Sequence, residues 1–538
     1  MGSALSRAKI IVGAVIVLNR ALDTLSKRLK TSPGLPVPNP TLPFWTIPKS
    51  TISSEGKQLP KHADVVIIGS GITGASVAYY TLLRNSGLKV VVLEAREVCS
   101  GATGRNGGHI NPPLSQDWEE TKKQYGEDGA KTLIRFRLAH IRELQAIASA
   151  EDILKQSQVR TTEHLEVYYT QDAFDEAVRD LNAWKADMPD EAEGFLAYGV
   201  DAIQKFELSD NVVGCIWGPG GAIHPYRFVT SLFANLLGRH GENFFIATHT
   251  PCTAIKEPTP SNSFYTISTP NGDITAPHIV HATNGWVSHL LEPMREKVIP
   301  VRGTMSAQRP GTSLSPTTLD GQRSYVFHPG GMGYDYLTQL PSGEHELMFG
   351  GGWASGVDSI LSEIGCSDDS VFNFNTAGHL AGLLPYYFRS SAWGREKEPV
   401  ADSYSGESVE WGQGRTKSQW SGILGISADG LPWVGRLSSK LSGRNEPPPS
   451  SAPTPRYTQK ETKLAIKAPA PVTAAPGEWI SAGYTGEGMV HAWMSGKAAA
   501  HMVLGADDEI KSWFPEILRI TEKRWKKANL EDFISRKL

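Results

Sequence analysis

The segment Asp64-Val65-Val66-Ile67-Ile68-Gly69-Ser70-Gly71-Ile72-Thr73-Gly74 carries an apolar strand straight into a GxGxxG turn, and a second apolar run, Lys89 to Leu93, ends in Glu94. Strand, glycine turn, helix, strand and terminal acid in one unit make a dinucleotide fingerprint. Gly69 permits the tight turn, Gly71 lets the backbone approach a pyrophosphate, and Gly74 lets the following helix pack on the strand. Ile72 and Thr73 open that helix, whose N-terminus faces the phosphate charge. Glu94 is placed to accept from ribose hydroxyls.

The loop after Glu94 distinguishes a flavin protein from a nicotinamide one. Ala95 to His109 is rich in glycine and small hydroxyl residues, where a nicotinamide domain returns to helix and strand. Its exposed backbone N–H groups can bind phosphate, ribityl or ring atoms of a longer cofactor. Ala95, Arg96, Ser100, Gly101, Ala102, Thr103, Arg105, Asn106, Gly107 and Gly108 are therefore candidate binding residues, and FAD meets the need.

Further motifs lie along the chain: GGAIHPYRFV at Gly220 to Val229, IVHATNGW at Ile279 to Trp286, PVRG at Pro300 to Gly303 and LMFGGG at Leu347 to Gly352. GISADGLPWVG at Gly425 to Gly435 and SAGYTGEGMVHAW at Ser481 to Trp493 complete the series. Together with the fingerprint, these motifs resemble the FAD-dependent D-amino acid oxidase superfamily over about Ala63 to Gly505. The resemblance is to the branch with sarcosine oxidase, glycine oxidase and γ-glutamylputrescine oxidoreductase. It implies an α/β fold in which a Rossmann-like, glutathione reductase-type βαβ domain for FAD is interleaved with an α+β substrate domain on a mixed sheet. Cys252, Ala282, Thr283, Asn284, Gly430, Gly483, Thr485, Gly486, Gly488 and Met489 join the cofactor-binding candidates. A glycine turn at Gly483 to Gly488 should open a buried helix over Met489 to Leu504, its positive end meeting the flavin.

The FAD domain is expected from residues 63–119, 211–292 and 418–505, with a mobile insertion at about 441–477. Residues 120–210 and 293–417 are expected to form the substrate domain, and 506–538 a helical tail. Asp128 to Ala150 reads as an amphipathic helix, and Val298 to Gln308, Ser324 to Thr338 and Glu346 to Gly352 carry strand signals. Residues 33–62 read as a proline-rich strap whose Phe44 and Trp45 dock on a domain surface.

The resemblance implies oxidation of a C–N bond in an amine or amino acid by hydride transfer to flavin N5, giving an imine that water hydrolyses. Oxygen or another acceptor would take the electrons. A hydroxy-acid or polyol dehydrogenase and a non-catalytic flavin-binding assembly factor are the alternatives. Some relatives tether the flavin through a cysteine near Trp420-Ser421-Gly422 or a histidine in the loop after the acid. Here the first place has no cysteine and the second carries Arg105-Asn106, which favours non-covalent FAD. Relatives also activate oxygen with a lysine, and between Lys297 and Lys397 there is none. His109, His224, His328 and His491 fall near cofactor segments, yet such residues more often satisfy structural hydrogen bonds. Arg302 could pair with a substrate carboxylate or tie strands together, and Tyr334 and Tyr336 could line the ring face or fill a core. A neutral amine needs no protein base in this superfamily, so no catalytic residue is assigned.

With 538 residues, 53 basic against 56 acidic, the chain can bury a large core and gives no electrostatic case for nucleic acid. Its four cysteines, Cys99, Cys215, Cys252 and Cys366, form no CxxC or Cys/His cluster, which argues against zinc and for a reducing, intracellular compartment. In the first thirty residues Arg7, Lys9, Arg20, Lys27, Arg28 and Lys30 accompany one acid, Asp23, and an apolar run from Ile10 to Leu18. Residues 1–32 fit a basic amphipathic helix on a membrane surface or a mitochondrial targeting segment, and Met1-Gly2-Ser3-Ala4-Leu5-Ser6 fits a myristoylation pattern. A cytoplasmic protein with peripheral membrane contact is expected, with a mitochondrial location as the alternative.

Overall fold

The computed structural model describes residues 19–538 except 57, 117, 261, 315–318, 331–332, 354, 356–360, 399–410, 449–472 and 532–538. The apolar N-terminal run and most of the proline-rich insertion lie outside the described residues.

Val65–Ile68, Val90–Leu93, His278–His281, Gly477–Ala482 and Phe244–Ala247 are short, mainly apolar strands because both their faces are covered, and the buried His281 and Glu478 pair with each other at 2.8 Å. They pair in parallel, and Trp433–Arg436 adds an antiparallel edge, giving a six-stranded sheet. Val65, Ile67, Val90, Val92 and Val280 face a helical layer, while Val66, Ile68, Val91, Leu93 and Ile279 face a three-stranded antiparallel sheet at 254–276. The helix Ile72–Arg84 crosses the helix Ala492–Val503 closely: a Cβ at Gly496 would meet the Thr73 carbonyl oxygen at 2.8 Å.

A second sheet has eight strands, in the order Thr416–Ser427, Val298–Gln308, Leu347–Gly350, Asp335–Gln339, Arg323–His328, Arg160–Tyr168, Gly214–Ala222, Leu196–Tyr198. The pair Arg323–His328 and Arg160–Tyr168 is parallel and every other pair is antiparallel, so the sheet is mixed. On one face Leu165, Val167, Tyr325, Phe327, Leu337 and Phe349 pack against Leu380, Leu384 and Tyr387. The other face meets the loop after Glu94, where Trp420 Nε1 donates to the Arg105 carbonyl (2.9 Å) and Thr338 Oγ1 to that of Gly107 (2.6 Å).

The strand signals and the long helix, found at Glu127–Ala150, fall where the sequence places them. Gly214–Ala222 and Thr416–Ser427 do not join the nucleotide sheet that their segments were assigned to. Each is a long strand that pairs along its length in the eight-stranded sheet, so the sheets divide the chain differently from motif order. The strap is no surface decoration: Trp45 is 1% exposed and donates from Nε1 to the Asn106 carbonyl (2.5 Å). The tail carries a short α-helix, Glu522–Lys527, and is anchored by buried Ile510, Phe514 and Leu518. A helix at 19–30 touches the molecule through Arg28, which donates to the Ser362 carbonyl at 3.2 Å. No described helix is long and apolar enough to cross a membrane.

Several histidines are held neutral in this core. Burial lowers His278 to about 3 and His140 to about 4, and holds His224 and His491 well below the ordinary imidazole value. His224 accepts the Arg227 N–H at Nδ1, capping the helix Pro225–Arg239, and His491 accepts at Nε2 from Arg137 (3.2 Å). In the unfolded chain each imidazole takes a proton as the pH falls below about 6.5. Their contribution to stability is therefore complete above that pH and lost as it falls toward the folded values. The urea midpoint should drop steeply between about pH 7 and pH 5, each imidazole removing about 2 kcal/mol at the lower pH. An unchanged midpoint would show these imidazoles to be solvated.

Candidate cofactor and active site

A cleft opens at the C-terminal ends of the parallel strands, where open α/β sheets bind ligands. Gly69, Gly71, Ile72 and Thr73 line it beside Glu94, Ala95 and Arg96, with Gly101, Ala102, Thr103 and Asn106 from the glycine-rich loop. Cys252, Ala282, Thr283 and Asn284 form a further wall, and Gly486, Gly488 and Met489 close one end. The turn is close-packed: a Cβ at Gly74 would meet the Gly69 carbonyl oxygen at 2.0 Å, and one at Gly69, whose φ is +111°, the Ala282 carbonyl oxygen at 2.6 Å. Glu94 is oriented by the Ser70 hydroxyl (2.6 Å) and the Ser70 and Arg96 N–H groups (3.1 and 3.0 Å).

The arginines of the loop meet a carboxylate from far along the chain. Arg96 Nη1 lies 2.9 and 3.1 Å from the two oxygens of Asp369, Arg96 Nη2 lies 3.1 Å from one of them, and Arg105 Nε is 3.5 Å away. Arg105 also donates to the Ser100 and Ser421 carbonyls at 2.7 Å, and Arg96 to the Val37 carbonyl at 3.3 Å. Burial lowers Arg105 to about 10, which still leaves it charged at neutral pH. Arg105 is thus bonded to protein groups, and Arg96 reaches the cleft wall with its guanidinium already engaged.

Other candidates also stand behind the lining. Ser100, Gly107 and Gly108 shape the loop; Gly430, at φ +83°, turns between Thr416–Ser427 and Trp433–Arg436. Gly483 N–H donates to Asn284 Oδ1 (3.0 Å), and Thr485 Oγ1 accepts from the Ser427 N–H (3.1 Å), so both brace the final turn. The regular helix begins at Ala492 rather than Met489, because a 3-10 turn at Gly488–Val490 intervenes. The cleft also uses Gly34, Leu35 and Pro36 of the strap, and Trp286, His289, Leu290 and Tyr484. Trp286 closes the IVHATNGW motif; the strap residues carry no sequence signal. Arg302 ties its strand to the segment 363–368: it pairs with Glu363 at 2.5 and 3.1 Å and donates to the Asp368 carbonyl at 3.1 Å.

Beyond Asn106 the loop meets a polar network on the inner face of the eight-stranded sheet. Gly221 N–H donates to Asn111 Oδ1 (3.1 Å), which orients the amide so that Nδ2 donates to His109 Nδ1 (3.1 Å) and Ser324 Oγ (2.7 Å). Burial, with His164 adding to it, lowers His109 to about 3, so its ring is neutral with the proton on Nε2, a buried atom with no partner among the described residues. The chain continues from Ser324 to His164 Nδ1 (3.3 Å) and from His164 Nε2 to Glu166 (2.7 Å), while His328 Nε2 reaches the other Glu166 oxygen (2.6 Å). Burial opposes ionisation of Glu166, but these imidazole hydrogen bonds outweigh it and hold the carboxyl well below the usual range. Tyr336 packs its edge on His109, with ring centroids 5.3 Å apart, and a Cβ at Gly107 would meet the Tyr336 ring at 2.8 Å.

A nucleotide cleft on a parallel sheet whose loop meets a second, mixed sheet defines a flavoprotein architecture. Residues 64–502 match the family DAO, FAD dependent oxidoreductase, and the chain belongs to that family and is an FAD-dependent oxidoreductase. Gamma-glutamylputrescine oxidoreductase of Escherichia coli (strain K12) is 26% identical over 302 residues, 54% of this chain and 64% of that relative, so the match spans less than two-thirds of its length. In fold the chain is similar to glycine oxidase from Geobacillus kaustophilus (TM-score 0.60, 16% identity, 86% of this chain and 99% of that one). It is likewise similar to L-proline dehydrogenase from P. horikoshii (TM-score 0.57, 16% identity, 88% and 100%). The cleft fits FAD: its glycine turn is open to a pyrophosphate, and Thr283 Oγ1 and Trp286 Nε1 are buried without partners among the described residues.

Two substitutions test this site. A Cβ at Gly71 would meet Thr103 Oγ1 at 3.0 Å, so Gly71→Val should yield protein with unchanged circular dichroism and no flavin absorption. Normal FAD content would remove the turn from the pyrophosphate site. Asp369→Asn leaves two buried guanidiniums without their anion, and denaturant unfolding should report a loss of about 3–5 kcal/mol. A loss below about 1 kcal/mol, the scale of an exposed pair, would show that the carboxylate is dispensable.

Proposed function

We propose that this oxidoreductase breaks a C–H bond beside the nitrogen of an amine or amino acid and yields an imine that water hydrolyses. FAD, held non-covalently, supplies the hydride acceptor. The observation that carries the reading is the adjacency of the cleft end at Asn106 to the polar face bearing His109 and Tyr336: Gly107, the next residue, lies against the Tyr336 ring, and Gly486, Gly488 and Met489 line the same cleft. Gly486, at φ +85° with open space around it, and the helix start at Ala492 give that end N–H groups and a positive dipole, which favour negative charge there. The relative named for γ-glutamylputrescine supports a nitrogen substrate. Trp420, Met305 and the strap shield the region from water, and no described group need act as a base once the amine is neutral.

An anaerobic screen of amines, amino acids, hydroxy acids and polyols tests this directly. Loss of the oxidised-flavin absorption with a nitrogen compound, and none with hydroxy acids or polyols, is expected. Bleaching only by a hydroxy acid or polyol would overturn the reading.

A further inference from the structure

The strand registers place one row of side chains across the inner face of the eight-stranded sheet. Met305 pairs with Gly350, Gly350 with Tyr336, Tyr336 with Val326, and Val326 with Glu166. Directly paired residues point to the same side. The row therefore runs from an aromatic ring beside Gly107, over a part-buried aliphatic residue, to a carboxylate two strand spacings from Tyr336, about 10 Å away. Tyr168, stacked on His328 at 4.8 Å, and Tyr334, 6.2 Å from both His328 and Tyr336, wall it with aromatic rings.

The row carries one carboxylate, that of Glu166. Glu166 accepts from two imidazoles, those of His164 and His328, while Asn111 and Ser324 link His164 to His109, whose buried ring is neutral. Arg302 and Arg323 alternate to the opposite side of their strands, where Glu363, and Glu163 with Glu207, engage them. An α-carboxylate entering here would meet a like charge, while an ammonium would meet a poorly hydrated carboxylate and aromatic faces, both of which attract cations.

Resting on the amine-oxidation reading, we infer that Tyr336, Val326 and Glu166 form a specificity site for the far end of the substrate. The site selects an amine that carries a second cationic nitrogen at the end of an alkyl chain, and disfavours α-amino acids. The chain lies over Val326, the distal ammonium sits at Glu166, and the reacting C–N bond is left at the Gly107 end.

Anaerobic flavin reduction by α,ω-diamines of increasing length, by monoamines of matched length and by α-amino acids tests the site in the wild-type holoprotein. The best diamine should exceed its matched monoamine in second-order reduction constant by about tenfold to a hundredfold, the scale of a charge-assisted hydrogen bond. Glu166→Gln should bring that ratio to near one, and Glu166→Asp should restore part of it. Equal constants for diamine and monoamine in the wild type, or an unchanged ratio in Glu166→Gln protein that retains its FAD, would overturn the site while leaving amine oxidation standing. Bleaching by none of these nitrogen compounds would overturn both.

Discussion

One buried carboxylate holds the parts of the cofactor site together. Asp369 is fully buried and receives Arg96 and Arg105, the two cations of the loop after Glu94. Its backbone carbonyl accepts from Thr41 N–H at 2.7 Å and from Ser421 Oγ at 3.2 Å. Strap, loop, eight-stranded sheet and the segment that carries Asp369 thus converge on one residue. A buried guanidinium without its anion is costly, so each segment is held where the others require it. The glycine-rich loop packs Val98 and Cys99 into the core, and its two arginines fix it further from outside.

That hub determines how the two sheets meet. Arg105 is bonded to Ser421 on the strand Thr416–Ser427, and Gly422 lets that strand approach, since a Cβ there would meet Arg105 Cβ at 3.0 Å. The inner face of the eight-stranded sheet is thereby brought over Gly107 to His109, with Tyr336 against the loop. The six-stranded sheet meets the same loop from its other end through Glu94 and Ser70. The nucleotide cleft and the inner face of the eight-stranded sheet are joined by fifteen residues of chain between Ala95 and His109.

The sequence made the local parts of this arrangement legible. A strand, turn and helix at Val65 to Gly74 depend on contacts a few residues long, and the glycine contacts have the close geometry their positions imply. Glu94 and Asn106 likewise sit at the cleft wall. Less legible were features that depend on distant partners. Arg96 and Arg105 read as ligand-binding cations because Asp369, more than two hundred and fifty residues away, has no local pattern to mark it. Leu35 and Pro36 enter the cleft wall through a proline-rich stretch whose composition says only that it is extended. Glu166 alternates with hydrophobic residues as any half-buried strand residue does, and its neighbours appear only when the register with Val326 and Tyr336 is known. Strand signals in Val298 to Gly352 were clear, but pairing, which divides the chain between sheets, is a long-range property.

The most direct measurement is a crystal structure of the protein with FAD bound. An isoalloxazine ring lying between the Gly486 to Met489 turn and the Gly107–Tyr336 face, with the pyrophosphate at the Gly69 to Gly74 turn, is the expected result. A ring directed away from Gly107, toward Leu35 and Pro36 of the strap, would contradict the placement of the substrate face.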